Sequence, residues 1–165
     1  MTAAPRAAVH GQDGDAWDAG RTRRACAGDG TASGIILLLN IDGLAAKVSD
    51  LHAHIRALER RTGDTVVAVG LVETKMPKRR AARDTPPGFV FVARTDRARI
   101  GGGGTAWLAR EGARALPLAA FDDGADTLEI SGLELVGEDH EPFWLFVGYR
   151  PDGADAGDFF RGLYR

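Results

Sequence analysis

The chain has 165 residues, of which 44% are hydrophobic and 27% charged, with a formal net charge of −2. These values fit one globular domain and exclude a strongly basic nucleic-acid binder on total charge, although local basic patches still bind phosphate. The single cysteine, Cys26, excludes an intrachain disulfide and fits a reducing compartment such as cytosol or nucleus.

Met1 to Ser33 is rich in Ala, Gly, Asp and Arg and carries no sustained period, so it is expected to be a disordered leader. A short helix at Asp13 to Ala19 is the alternative. No apolar segment follows the first basic residue, so a signal peptide and secretion are not expected. The longest apolar run, Ile35 to Leu39, is strand-sized and far short of a membrane span. It predicts a strand buried on both faces, closed by the polar turn Asn40-Ile41-Asp42-Gly43.

From Leu44 the period changes. Leu44, Val48, Leu51, Ile55 and Leu58 line one helical face, and Gly63 is placed to stop the helix. Thr65 to Val72 predicts a second buried strand, ending directly in Glu73-Thr74-Lys75. Two such strands joined by one helix form a crossover unit, with the strands adjacent and parallel or separated by another strand. Met76 to Pro87 reads as a basic loop. Further strands are predicted at Gly88 to Arg94, Thr105 to Arg110, Ala115 to Ala119, Thr127 to Val136 and Phe143 to Tyr149. In the fourth of these, Leu128, Ile130, Leu133 and Leu135 fall out of step near Gly132, which predicts a bulge. Asp158 to Arg165 has an apolar set, Phe159, Phe160 and Leu163, suited to a helix.

Asn40 and Glu73 end the two central strands. A strand holds such a residue rigidly and the loop beyond gives access, so an amide oxygen and a carboxylate together suit a hard cation such as Mg²⁺ or Mn²⁺. The alternative is that Asn40 caps the turn that follows it and Glu73 is a solvated strand end. Lys75, Lys78, Arg79, Arg80 and Arg83 lie close together without an intervening acid. Such a cluster can hold a nucleic-acid backbone or form a solvated loop. The run Gly101 to Gly104 lacks the following Lys-Ser/Thr and helix of a phosphate-binding loop, so it reads as a hairpin connection. Trp107 and Trp144 read as core or sheet-surface residues, and His52 and His54 as solvent-facing helix positions.

Four segments, in order, resemble the endonuclease domain of non-LTR retrotransposon polyproteins, within the endonuclease/exonuclease/phosphatase superfamily. They are Asn40-Ile-Asp-Gly43-Leu44 with Lys47 and Leu51, then Val69-Gly-Leu-Val-Glu73-Thr-Lys75, then Gly101 to Gly112, then Gly148-Tyr149-Arg150-Pro151. The resemblance spans residues 34 to 165. It implies a four-layer α/β/β/α sandwich and hydrolysis of DNA phosphodiesters with a divalent metal, Mg²⁺ or Mn²⁺. In that pattern Glu73 binds the metal, Asn40 sits beside metal and phosphate, and Tyr149 hydrogen-bonds the phosphate or orients the catalytic group. Asp42 stands where the family has a second Asn, and Val147 where relatives often have Asn.

The family's later motifs, G-D-x-N and a terminal S-D-H, do not occur in this sequence. Gly157-Asp158-Phe159-Phe160 lacks the Asn of the first, and His140 has no adjacent Ser-Asp. The expectation is therefore the N-terminal portion of such a domain, with the general base beyond it. Two other readings stay open. One is the same superfamily with another phosphoester substrate, as in abasic-site nucleases or lipid phosphatases. The other is a degenerate, non-catalytic fragment or a nucleic-acid-binding module.

Overall fold

In the computed structural model the described residues are 23–25, 34–76, 85–96, 103–122, 129–137, 141–150 and 155–157. The elements run β1 (Arg23–Ala25), β2 (Gly34–Asn40), α1 (Leu44–Thr62), β3 (Thr65–Val72), β4 (Phe89–Thr95), β5 (Thr105–Arg110), β6 (Ala115–Asp122), β7 (Glu129–Leu135) and β8 (Phe143–Tyr149). They form a mixed five-stranded sheet in the order β1-β2-β3-β5-β4 and an antiparallel three-stranded sheet in the order β6-β7-β8. The fold class is mixed α/β. No helix among the described residues is long and apolar enough to cross a membrane.

α1 forms because its sequence lacks Gly and Pro over 19 residues and presents one apolar face. Leu44, Leu51, Ile55 and Leu58 of that face are buried, with Val48 packed beside them. Each contributes about 2 kcal/mol by leaving water. Gly63 ends the helix at φ 75°, its N–H donating to Glu59 O at 2.9 Å. Arg60 and Arg61 occupy the last turn, where the helix dipole favours cations.

β2 and β3 are adjacent and parallel, Leu37 opposite Val69 and Asn40 opposite Val72. α1 is thus a direct crossover, the first of the two arrangements its sequence allows. Alternation divides the β2 side chains between two cores. Ile35, Leu37 and Leu39 join Val66, Val69, Leu71, Phe89 and Leu108 under the helix. Ile36 faces the second sheet, with Ala68, Ala93, Trp107, Leu133 and Val147. Gly70 is required at the crossing of the sheets. A Cβ there would stand 2.7 Å from Val147 Cγ1, 2.7 Å from Leu38 Cδ2 and 2.9 Å from Trp107 Cη2.

A polar seam ties the sheets together. Thr95 Oγ1 donates to Ile130 O at 3.0 Å, Thr105 Oγ1 to Ser131 Oγ at 2.9 Å, and Trp107 Nε1 to Ser131 O at 3.0 Å. This arrangement refines the reading of β7. Its pairing with β8 runs without a register shift from Glu129 to Leu135, while its pairing with β6 shifts just past Gly132, so the irregularity expected there is carried by the partner strand. The shift lies on β6, between Leu118 and Phe121. The inward set of β7 is therefore Glu129, Ser131, Leu133 and Leu135, a polar pair followed by an apolar pair. The apparent slip in the hydrophobic pattern is the seam itself.

Two other differences are smaller. Within the expected disordered leader, Arg23 to Ala25 pairs antiparallel with Gly34 to Ile36, while the possible helix at 13–19 lies outside the described residues. β6 extends to Asp122, beyond the predicted Ala119. The outer face of the second sheet leaves Leu116, Trp144 and Phe146 exposed, Trp144 at 67%.

Candidate metal centre

The parallel crossover brings the C-terminal ends of β2 and β3 side by side. Asn40 Nδ2 donates to Glu73 Oε1 at 2.9 Å, joining the two residues expected to bind or flank a metal. Asn40 Oδ1 accepts the Asp42 N–H at 3.1 Å, so the same side chain also shapes the turn after β2. The alternative role for Asn40, a turn cap, is thus realised together with the contact to Glu73. Glu73 is half-buried, and no described residue donates a hydrogen bond to its Oε2.

Backbone bonds on both sides hold the Glu73-Thr74-Lys75 segment. The Gly43 and Leu44 N–H groups donate to Glu73 O (2.8 Å) and Thr74 O (2.9 Å), so the first amides of α1 are satisfied by the strand end. On the other side the Thr74 and Lys75 N–H groups donate to Gly104 O (3.1 Å) and Gly103 O (2.9 Å). Gly103 and Gly104 of the glycine run therefore brace this segment. Gly104 lies at φ 87°, and a Cβ there would fall 2.4 Å from Thr74 Oγ1. Among the described residues, Asp42, Glu73 and Lys75 are the non-glycine residues at positive φ, with values of 45°, 56° and 51°. Side chains rarely adopt that conformation without support from their surroundings.

Charge is concentrated here too. Lys75 Nζ hydrogen-bonds Asp42 Oδ1, and Lys47 Nζ lies 3.7 Å from Asp42 Oδ2. The Lys75 hydrogen bond and charge, with Lys47 adding to them, hold the Asp42 carboxyl below the usual aspartate range. Conversely, the hydrogen bond to Asp42 raises the Lys75 pKa against some desolvation, and the charges of Asp42, Glu73 and Tyr149 raise it further. Tyr149, at the end of β8, therefore belongs to the same electrostatic neighbourhood. Asp42 is already neutralised by two lysines, which makes it a poor competitor for a cation.

Lys78, Arg79, Arg80 and Arg83 lie outside the described residues, so of the basic cluster only Lys75 is placed at the site. Two participants escaped sequence reasoning. Lys47 was legible as part of the first resembling segment but was given no role at the site, though it lies one turn into α1 beside the strand ends. Glu129 is a carboxylate buried to 4% exposure whose Oε2 accepts the Gly104 N–H. A charged residue in step with Ser131 and Leu133 on an alternating strand was its signal, hidden by the assumed bulge.

Among the described residues, no three His, Cys, Asp or Glu side chains group as a metal cage. Mg²⁺ needs less than that, because it keeps several waters and binds through one or two carboxylates together with substrate phosphate. Glu73, a half-buried carboxylate with a neighbouring amide, fits such a partial set. No family model matches the sequence, and no curated protein matches it significantly.

Proposed function

We propose that the chain carries the metal-binding half of a phosphodiesterase centre of the retrotransposon-endonuclease type, acting on DNA. The observation that carries this reading is the Asn40–Glu73 hydrogen bond at the ends of two adjacent parallel strands. It agrees with the resemblance in the four ordered segments. Glu73 would hold Mg²⁺ or Mn²⁺. When bound, the metal would polarise a phosphoryl oxygen and stabilise the leaving oxygen. Asn40 orients the Glu73 carboxylate and offers its amide beside the phosphate. Lys75 and Lys47 supply positive charge, and the start of α1, which has no acid in its first turn, adds to it. Tyr149 donates its hydroxyl to the phosphate. In this reading the exposed outer face of Leu116, Trp144 and Phe146 is where the fourth layer of an α/β/β/α sandwich packs.

Mn²⁺ binding, followed by the loss of its free EPR signal, tests this reading directly, because the family's later motifs, which supply the general base, do not occur in this sequence. Saturable binding by wild type that disappears in Glu73→Ala is the expected result; identical behaviour of the two proteins overturns it. The pair of lysines at the strand ends, Lys47 and Lys75, favours a second reading, a nucleic-acid-binding module that uses them with the basic loop. Its signature is DNA affinity that falls steeply with salt and is unchanged by Glu73→Ala.

A further inference from the structure

We propose that Glu129 is the positioning residue of this centre, anchoring the Gly103–Gly104 turn that fixes Glu73, an inference that rests on the metal-site reading above. Glu129 sits on the inward face of β7, directly opposite Tyr149 of β8. A carboxylate this buried needs a strong donor, and the backbone N–H of Gly104 supplies one to Oε2. The carbonyls of Gly103 and Gly104 in turn accept the N–H groups of Lys75 and Thr74. Glu129 thus connects the second sheet to the metal-bearing end of the first through a chain of backbone hydrogen bonds.

The conformation of the segment explains why it needs such an anchor. Glu73 and Lys75 both stand at positive φ, on either side of the buried Thr74. Without a fixed brace, residues in that region relax toward ordinary backbone angles. Relaxation at Glu73 would turn its carboxylate away from Asn40. The brace must be close, and it is: Gly104 packs so tightly on Thr74 that no side chain fits there. Glu129 also borders Tyr149 across the β7–β8 pair. One carboxylate therefore adjoins both the turn that supports Glu73 and the residue expected to meet the phosphate. The rival role, Glu129 as a metal ligand in its own right, predicts a different outcome for an uncharged isostere.

The test uses the whole chain as wild type, Glu129→Gln and Glu129→Ala. Amide exchange is followed by NMR and Mn²⁺ binding by the loss of its free EPR signal. Wild type is expected to protect the Gly104, Thr74 and Lys75 amides. Glu129→Ala should lower that protection at least about tenfold, the loss of one charge-assisted hydrogen bond, and weaken Mn²⁺ binding about 10- to 100-fold. The Leu37 and Val69 amides, within β2 and β3, should not change. Glu129→Gln keeps an acceptor oxygen, so it should retain both protection and Mn²⁺ affinity while moving the Gly104 amide proton upfield. Unchanged Thr74 and Lys75 protection in Glu129→Ala overturns the proposal. So does loss of Mn²⁺ binding in Glu129→Gln with protection intact, which would make Glu129 a ligand. If Glu129→Ala does not fold, the Gln variant decides, and an unmoved Gly104 resonance refutes the anchor. Failure of wild type to bind Mn²⁺ removes the metal-site reading alone, while the exchange pattern still decides whether Glu129 holds the turn.

Discussion

The two ends of β3 are built from similar parts and put them to different use. At its start, Arg110 of β5 donates through Nε to Val66 O at 2.8 Å and pairs with Glu59 of α1, while its guanidinium lies 4.9 Å from the Phe89 ring centre. Glu59 also accepts the Val66 N–H at 3.1 Å. At its end, Lys75 pairs with Asp42 and Glu73 accepts from Asn40. Both ends join a carboxylate to a cation, Glu59 of α1 to Arg110 of β5 at the first and Asp42 after β2 to Lys75 after β3 at the second. The difference lies in the backbone. Gly63, Gly88 and Gly112 take the positive φ angles at the first end. At the second end that conformation falls on Asp42, Glu73 and Lys75 as well as on glycine. Strain is absent where the structure only needs closing and present where side chains must point in set directions. The first end is a clamp and the second a site.

Several substitutions sharpen or break that contrast. The largest effect belongs to Glu73→Ala, which should weaken Mn²⁺ binding by at least about 100-fold, because it removes the charged ligand of the site. Its unfolding free energy in urea should stay within about 0.5 kcal/mol of wild type. A comparable loss of stability would make Glu73 a structural residue. Midway along the strand, Gly70→Ala forces a methyl group against Val147, Trp107 and Leu38. It should cost about 1–3 kcal/mol in urea unfolding.

At the clamp end, Arg110→Ala should cost about 2 kcal/mol, because it strands the partly buried Glu59 carboxylate and removes the bond to Val66 O. Mn²⁺ binding should be unchanged. Loss of metal binding in this variant would merge the two ends into one cooperative unit. A matched pair of backbone changes comes next. Gly63→Ala should lose about 1 kcal/mol, whereas Glu73→Gly should lose none, because glycine accepts the positive φ there.

The smallest effect is the titration of Asp42. Its folded pKa is depressed, chiefly by the Lys75 hydrogen bond, so the pair's contribution is present above the unfolded aspartate pKa and fades as pH falls through the folded value. Lys75 has the opposite sign: its pKa is raised, so its contribution is lost as pH rises through the folded value. Carbon-detected NMR should find the Asp42 carboxyl titrating below the ordinary aspartate range and returning toward it in Lys75→Met.

Much of the architecture is legible in the sequence because its periods are clean. The spacing of Leu44, Leu51, Ile55 and Leu58 fixes α1, and the run from Ile35 to Leu39 and its counterpart at Thr65 to Val72 fix the central strands. A crossover between adjacent parallel strands places their C-terminal ends together, so the meeting of Asn40 with Glu73 follows from topology. The Asp42–Lys75 pair does not, since 33 positions separate its members and both sit in turns whose course no period sets. Glu129 was hidden for another reason. Hydrophobic periodicity reports apolar burial, and β7 buries Glu129 and Ser131 instead, so the pattern looked broken where it was polar. The four-layer arrangement and the roles of Lys78, Arg79, Arg80 and Arg83 belong to the resemblance and to residues outside those described.

Mn²⁺ titration of the whole chain at neutral pH, followed by EPR, tests the central claim most directly. The account predicts saturable Mn²⁺ uptake by wild type, competed by Mg²⁺, abolished in Glu73→Ala and retained in Arg110→Ala. Uptake that survives Glu73→Ala, or no uptake by wild type, would contradict a metal centre at the end of β3.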